Sequence, residues 1–240
     1  MNIVIMGAGY VGLPLVREFI KKDFKVIGID IDIKKIQYLN EGKSYIKNIP
    51  SSDVKKFLLK KFIATNKILN IKKCDVVIYC LPTPLDKNKG PDMSHISNTL
   101  DLCKNFFKKG QLLVLESTTY PGTTEEYFLP ILKMRNFNVG KDIFLGYSPE
   151  REDPGNFKYS IGQISKVVSG YSSNCKKLMK ILYNNVAKEC IEVSSIKTAE
   201  MTKLLENIYR CVNIGLVNEL KLVCEKMSMD IFEIIDAAKT

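Results

Sequence analysis

The chain has 240 residues, 45% of them hydrophobic, and a formal net charge of +10. That length and apolar fraction build a full core, which excludes a disordered chain and fits one large domain or one domain with part of a second. The positive charge lies in scattered doublets such as Lys21-Lys22, Lys55-Lys56, Lys60-Lys61 and Lys176-Lys177 rather than in a basic block interleaved with aromatics, so it argues for a solvated lysine-rich surface and against a nucleic-acid partner.

Asn2 to Met6, Lys25 to Asp30, Asp75 to Cys80, Gln111 to Glu116, Asp142 to Tyr147 and Lys166 to Ser169 are short β-branched or leucine-rich runs that read as strands, with helix-period segments between them. This alternation predicts an α/β fold, a doubly wound parallel sheet with helices on both faces. A last strand, Glu189 to Val193, precedes a stretch of different character. From Ser195 to Lys226 there is no proline and one glycine, and Ala199, Leu204, Ile208, Val212, Leu216, Leu220 and Val223 recur at helical spacing. The pattern predicts a single helix of about thirty residues. Such a helix leads from a first domain over residues 1–195 into a second, helical domain over 196–240 that is begun and not completed. Ser228-Met229-Asp230 breaks it, and Asp230 is placed to cap a new helix from Ile231.

The nearly uncharged start, Met1 to Val16, has no basic residue before it and is interrupted by glycines, unlike a signal peptide; no other run is long enough to span a bilayer, so no membrane partner is expected. Cys74, Cys80, Cys103, Cys175, Cys190, Cys211 and Cys224 lie far apart without a CxxC, and His95 is the only histidine. That spacing gives no metal site and predicts reduced, mostly buried thiols in a cytoplasmic protein.

Gly7-x-Gly9-x-x-Gly12 follows the first strand, a helix from Val11 to Lys22 follows the glycines, and the next strand ends in Asp30. Clustered glycines alone mean only a tight strand-helix connection. In this context they predict dinucleotide binding. Gly7 permits the turn, Gly9 admits the pyrophosphate to the backbone, and Gly12 lets the helix pack against the strand. Tyr10 and Val11 belong to the same contact set, because the helix N-terminus offers N–H groups to phosphates. Asp30 would accept hydrogen bonds from the adenosine ribose. Asp30 and Asp32 repel a 2′-phosphate, which favours NAD over NADP, while Lys34 and Lys35 stand where a phosphate could be met.

Four further stretches, "CLPTPLDKNKGPD", "LESTTYPGTTEE", "GYSPEREDPGN" and "AEMTKLLENIYRCVNIGLVNEL", join "GKSYIKNIP" at Gly42 to Pro50 and the glycine loop. Together they resemble the UDP-glucose/GDP-mannose dehydrogenase family over essentially the whole chain. The first, third and fourth, with "GKSYIKNIP", look most like the branch that oxidises UDP-N-acetylglucosamine or a close relative to the 6-uronate. The resemblance implies oxidation of a sugar C6 alcohol to a carboxylate with two NAD reduced in succession, an aldehyde held as a cysteine adduct, and a homodimer formed through the long helix. It also implies that Gly7, Gly9, Gly12, Asp30 and Lys35 contact the adenine-side diphosphate and ribose. Thr83, Ser117 and Thr118 would line the nicotinamide side, and Glu150, Lys203 and Asn207 would face the UDP-sugar.

Those residue types suit the chemistry in their own right. Lys203 and Asn207, four apart, share a helix face and can both donate to an oxyanion forming at C6. Glu150 can serve as general base for the water that hydrolyses a thioester, Thr118 can orient a proton-relay water, and Arg151 suits a substrate phosphate. Each also has an ordinary reading. Lys203 can snorkel to solvent, Asn207 can be a buried hydrogen-bonding residue, and "SPERED" can be a solvated loop. "STTYPGTTEE" also reads as a helix start, with Thr123 or Thr124 capping and Glu125 and Glu126 in the first turn.

In the family, the reactive thiol sits in a GGHC-type segment after the helix that begins here at Ile231. These 240 residues contain no such segment, and the C-terminal UDP-binding domain is absent, so the sequence reads as an incomplete chain. Cys80, Cys211 and Cys224 sit among apolar residues and read as inert packing. Two other functions compete. A β-hydroxyacid dehydrogenase would use Lys203 in a single hydride transfer, although it leaves "SPEREDPG" and "LPTPL" unexplained. A catalytically silent NAD-binding or oligomerisation module would bind the cofactor without turnover.

Overall fold

Runs such as Ile3-Val4-Ile5 and Leu112-Leu113-Val114-Leu115, apolar on consecutive residues, are stable only in strands covered on both faces. The computed structural model, which describes residues 1–60, 62–150 and 164–240, forms such a sheet. In chain order the elements are β1 (Asn2–Met6), α1 (Gly12–Lys21), β2 (Lys25–Ile29), α2 (Ile33–Asn40), α3 (Ser51–Leu59), β3 (Ile63–Thr65), a 3-10 turn (Ile68–Lys73), β4 (Val76–Tyr79), α4 (Ser94–Cys103) and β5 (Leu112–Leu115). There follow α5 (Thr123–Met134), β6 (Phe144–Tyr147), β7 (Ser165–Gly170), α6 (Ser173–Tyr183), β8 (Glu189–Glu192), α7 (Ile196–Lys226) and α8 (Ile231–Ala238).

The strands are ordered β3-β2-β1-β4-β5-β6-β7-β8. The chain winds outward from β1 through β2 to β3, then crosses back to β4, so a crevice opens beyond the carboxyl ends of β1 and β4, where the winding reverses. Alternate residues of β1 enter opposite layers: Ile3 and Ile5 pack with Leu13, Val16 and Phe19 of α1. Val4 and Met6 pack on the other face with Val77, Leu113 and Leu145.

Every strand read from the sequence is present, and two features differ from that reading. β3, only three residues long, went unread at the sheet edge. The sheet is also not parallel throughout, because β7 runs antiparallel to β6, with Gly146 opposite Gly170 and Tyr147 opposite Ser169. Strand composition does not encode direction. The reversal brings the first residues of β7 to the carboxyl edge of β6, which carries Lys166 to the ligand side of the sheet.

Residues Met1–Met201 form one compact unit and Thr202–Thr240 another. The second holds most of α7 together with α8, whose N-terminus is capped as expected: the Phe232 N–H donates to the Asp230 carboxylate at 2.8 Å. Leu205, Ile208, Val212, Leu216 and Leu220 are exposed along α7. Among the described residues no helix is long and apolar enough to cross a membrane. All seven cysteines are free; five are buried, and Cys211, expected to be buried, is exposed on α7.

Candidate dinucleotide and catalytic site

The glycine loop leaves β1 through Gly7, whose φ of +93° a side chain would strain, and the Gly7 N–H donates to the Ile29 carbonyl at 2.7 Å. A Cβ on Gly12 would lie 1.9 Å from the Gly7 oxygen, so α1 approaches the turn as closely as only glycine permits. Gly9 differs from both. Nothing lies within 4 Å of the place a Cβ would take there, so open space, and not the protein's own packing, surrounds that position. At the N-terminus of α1 no side chain caps the helix and its first turn holds no acid. Leu13 already donates to the Gly9 carbonyl at 3.0 Å and Pro14 has no N–H, so what the first turn offers an anion is the Gly12 amide.

Asp30 is built into the loop. One carboxylate oxygen accepts the Ala8 N–H at 2.9 Å and the other accepts the Asp32 N–H at 2.9 Å. Each oxygen retains further acceptor capacity for a ribose hydroxyl. Asp32 caps α2 by accepting from the amides of Lys34 at 2.9 Å and Lys35 at 3.3 Å. Gly7, Gly9, Tyr10, Val11, Asp30 and Lys35 line one cavity of about 430 Å³, while Gly12 is buried beneath the loop. Ile31, Asn66, Ile68, His95, Thr99 and Leu102 also line that cavity. No motif marks these last residues in the sequence, because they come from separate elements.

The nicotinamide-side residues are brought together where β4 and β5 end. The Thr83 hydroxyl donates to the Thr118 carbonyl at 2.7 Å, and the Leu81 N–H donates to the Ser117 hydroxyl at 3.0 Å. None of Thr83, Ser117 and Thr118 lines the cavity itself; they adjoin it through Leu81, which does.

Next to them lies a charged cluster that the sequence reading missed. Glu116, directly after β5, is fully buried, and the Lys166 ammonium sits 2.9 Å from one of its oxygens. The Tyr183 hydroxyl of α6 donates to the other oxygen, and the Lys166 ammonium stands 5.0 Å from the Tyr183 ring centre. Lys166 also reaches the Pro149 carbonyl at 3.5 Å, one residue before Glu150, which is itself buried. Burial pushes the Glu116 carboxyl up to about 6, against the pull of Lys166 and with a further push from Glu150. The ammonium 2.9 Å away favours its ionised form. Burial also works against the charge on Lys166, but Glu116 and Glu150 outweigh it and hold the ammonium above its ordinary range. Cys80 lies beside this cluster and lines the cavity, and burial, reinforced by Glu116 and Glu150, raises its thiol well above the usual range. The thiol stays protonated, which fits the packing role read from the sequence. Arg151 lies outside the described residues.

The helix start expected in "STTYPGTTEE" is present, with a different cap. Gly122, with φ of +107°, is the N-cap of α5, and neither Thr123 nor Thr124 caps it. Glu200, from the first turns of α7, accepts instead from the Gly122 N–H at 2.5 Å, the Thr124 N–H at 2.8 Å and the Thr124 hydroxyl at 2.7 Å. A carboxylate 76 residues away satisfies the helix donors that no local side chain reaches. Thr123 turns back to the Tyr120 carbonyl at 2.7 Å. In the second unit, Lys203 and Asn207 are half-buried, one turn apart on α7.

Residues 1–187 match the UDP-glucose/GDP-mannose dehydrogenase family, NAD binding domain, and residues 197–240 match the central domain of the same family. The chain belongs to the UDP-glucose/GDP-mannose dehydrogenase family. Its cofactor is NAD, as the match to the NAD binding domain of that family shows. A UDP-N-acetyl-D-glucosamine 6-dehydrogenase of Pseudomonas aeruginosa is 36% identical over 242 residues, covering 100% of this chain and 57% of that protein. A UDP-N-acetyl-D-mannosamine dehydrogenase of Pyrococcus horikoshii is 32% identical, covering 100% of this chain and 58% of that protein. The solved structure of a UDP-D-ManNAc dehydrogenase from Pyrococcus horikoshii superposes with a TM-score of 0.93 at 31% identity, covering 100% of this chain and 57% of that one. The chain thus spans a little over half the length of these relatives.

Proposed function

We propose that the chain is the N-terminal part of a cytoplasmic UDP-sugar 6-dehydrogenase, with its dinucleotide domain over residues 1–195 and the start of a helical domain over 196–240. Its substrate is UDP-N-acetylglucosamine or a related UDP-N-acetylhexosamine, the C6 alcohol of which is oxidised to the carboxylate. The observation that carries this reading is the open face of Gly9 beside Asp30 at the winding reversal, a fit for a diphosphate with its ribose. Similarity to the Pseudomonas and Pyrococcus enzymes supports the sugar class.

When bound, NAD would supply the hydride acceptor, one NAD for each of the two oxidations that take the C6 alcohol to the carboxylate. The chain's own contribution is to bind, orient and move protons. Gly7, Gly9, Tyr10, Val11 and Gly12 present backbone to the diphosphate, with Lys35 adding charge, and Thr83, Ser117 and Thr118 shape the nicotinamide side. In the assigned roles Thr118 orients a relay water, Glu150 takes a proton from the water that hydrolyses a thioester at C6 as the thiol leaves, and Arg151 meets a substrate phosphate. Lys203 and Asn207 donate to oxygen as negative charge gathers on it.

Calorimetric titration of the chain tests the cofactor half of this reading. NAD binds, NADP binds much more weakly, and Asp30→Ala weakens NAD by about 1 to 3 kcal/mol. An unchanged affinity in Asp30→Ala would remove that carboxylate from the ribose site. A homodimer through α7 is the other element of the proposal, because Leu205, Ile208, Val212, Leu216 and Leu220 leave an apolar face exposed along that helix. Sedimentation velocity is expected to show a dimer that Leu216→Glu dissociates; a monomer at all concentrations would refute it.

A further inference from the structure

The "GKSYIKNIP" stretch has no role in the chemistry described so far, yet it is a fixed piece of the fold. Ile46 and Ile49 are buried in the core beside α1. The Ser44 N–H donates to the Ser51 hydroxyl at 3.0 Å and the Ile46 N–H to the Ser44 hydroxyl at 3.1 Å. Arg17 of α1 donates to the Asn48 carbonyl at 3.3 Å. From this scaffold the Tyr45 hydroxyl reaches across and donates to the carbonyl of Ala8 at 2.5 Å.

Ala8 is the residue between Gly7 and Gly9, and it is held from both sides. Its N–H donates to Asp30 at 2.9 Å, and its C=O accepts from Tyr45. A trans peptide is planar, with C=O and the following N–H pointing in opposite directions. A bond that fixes the Ala8 carbonyl therefore also fixes the direction of the Gly9 N–H. Gly9 is the loop residue with open space around it and lines the cavity. Glycine on either side would otherwise let this peptide group rotate cheaply. Burial, with Asp30 and Asp32 adding to it, holds the Tyr45 hydroxyl far above the ordinary phenol range, so it stays a donor at any working pH.

We propose that Tyr45 is a positioning residue for the cofactor diphosphate: its hydroxyl locks the Ala8–Gly9 peptide plane so that the Gly9 amide is aimed before the ligand arrives. This inference rests on the NAD reading above. It assigns to an irregular segment between α2 and α3 a part of the pre-organisation that the glycine loop lacks by itself.

Tyr45→Phe keeps the ring and its packing and removes only the hydroxyl. In calorimetry on the whole chain, the variant is expected to bind NAD and ADP-ribose about five- to tenfold more weakly than wild type. Adenosine, which has no diphosphate, is expected to bind both proteins equally. The Gly9 amide resonance of the ligand-free variant is expected to move, with the unfolding midpoint nearly unchanged. Equal NAD affinity in the two proteins overturns the proposal, and so does an equal loss for adenosine and NAD, which would mark a general structural defect. If wild type itself fails to bind NAD, the cofactor reading falls and takes this inference with it, a result distinct from the other two.

Discussion

Lys166→Met is expected to destabilise the protein by about 3 to 5 kcal/mol, read as a lower urea midpoint. The reason is what it leaves behind. Glu116 is fully buried, and with Lys166 gone its carboxylate keeps, among the described residues, only the Tyr183 hydroxyl as a donor while Glu150 still repels it. The lost ammonium is what pulls the Glu116 value down, so in the variant that value rises above the wild-type figure of about 6. A carboxyl raised above its unfolded value costs nothing where both states are protonated, and destabilises progressively as pH rises through and beyond the unfolded value. The stability deficit of Lys166→Met against wild type is therefore largest at neutral pH and shrinks on acidification towards pH 4.5. Adding Glu116→Gln should recover much of the loss, because a pair removed together leaves no stranded charge. A single variant that melts like wild type would mean that the pair is not buried as described.

The second large effect separates a phosphate cradle from a merely tight turn. Gly12→Ala places a methyl 1.9 Å from the Gly7 oxygen and 3.1 Å from an Ile5 methyl, so α1 has to shift. The expected cost is about 1 to 3 kcal/mol of stability, and the displaced helix end loses NAD affinity by about a hundredfold. Gly9→Ala introduces a methyl that meets nothing within 4 Å, at a position with no positive φ, so its unfolding midpoint should match wild type. Its NAD affinity should nevertheless fall about as far as in Gly12→Ala, because the methyl stands where the diphosphate approaches. Calorimetry and thermal melts on both variants check this. If Gly9→Ala binds NAD normally, the loop is only a turn.

Much of the fold was legible because its signals are local. β-branched runs mark the central strands, the three glycines and Asp30 mark the first crossover, and α7 begins at Ile196 and ends at Lys226, within a residue of the periodic stretch. What escaped is non-local. Glu116 and Lys166 are 50 residues apart and each looked like a strand-end polar residue; only the antiparallel course of β7 makes them partners. The Glu200 cap on α5 likewise joins residues 76 apart, a pairing that no local pattern around Thr123 and Thr124 encodes. His95 carries no motif in the sequence, and its place in the cavity lining depends on where α4 packs. Among the assigned site residues, sequence gave types and order, and packing supplied the contacts that hold Thr83 to Thr118 and Asp30 to Ala8.

The contact between Glu116 and Lys166 has a bearing on how the first unit comes apart. β7, α6 and β8 form a sequential flank at one side of the sheet, the kind of segment that can fray independently. Here peeling it away would strip Glu116 of both Lys166 and Tyr183 at once, so a buried ion pair and a hydrogen bond are lost together. Partial opening of that side is thereby made as costly as wider disruption, so the flank and the nucleotide-binding half should melt as a single cooperative block.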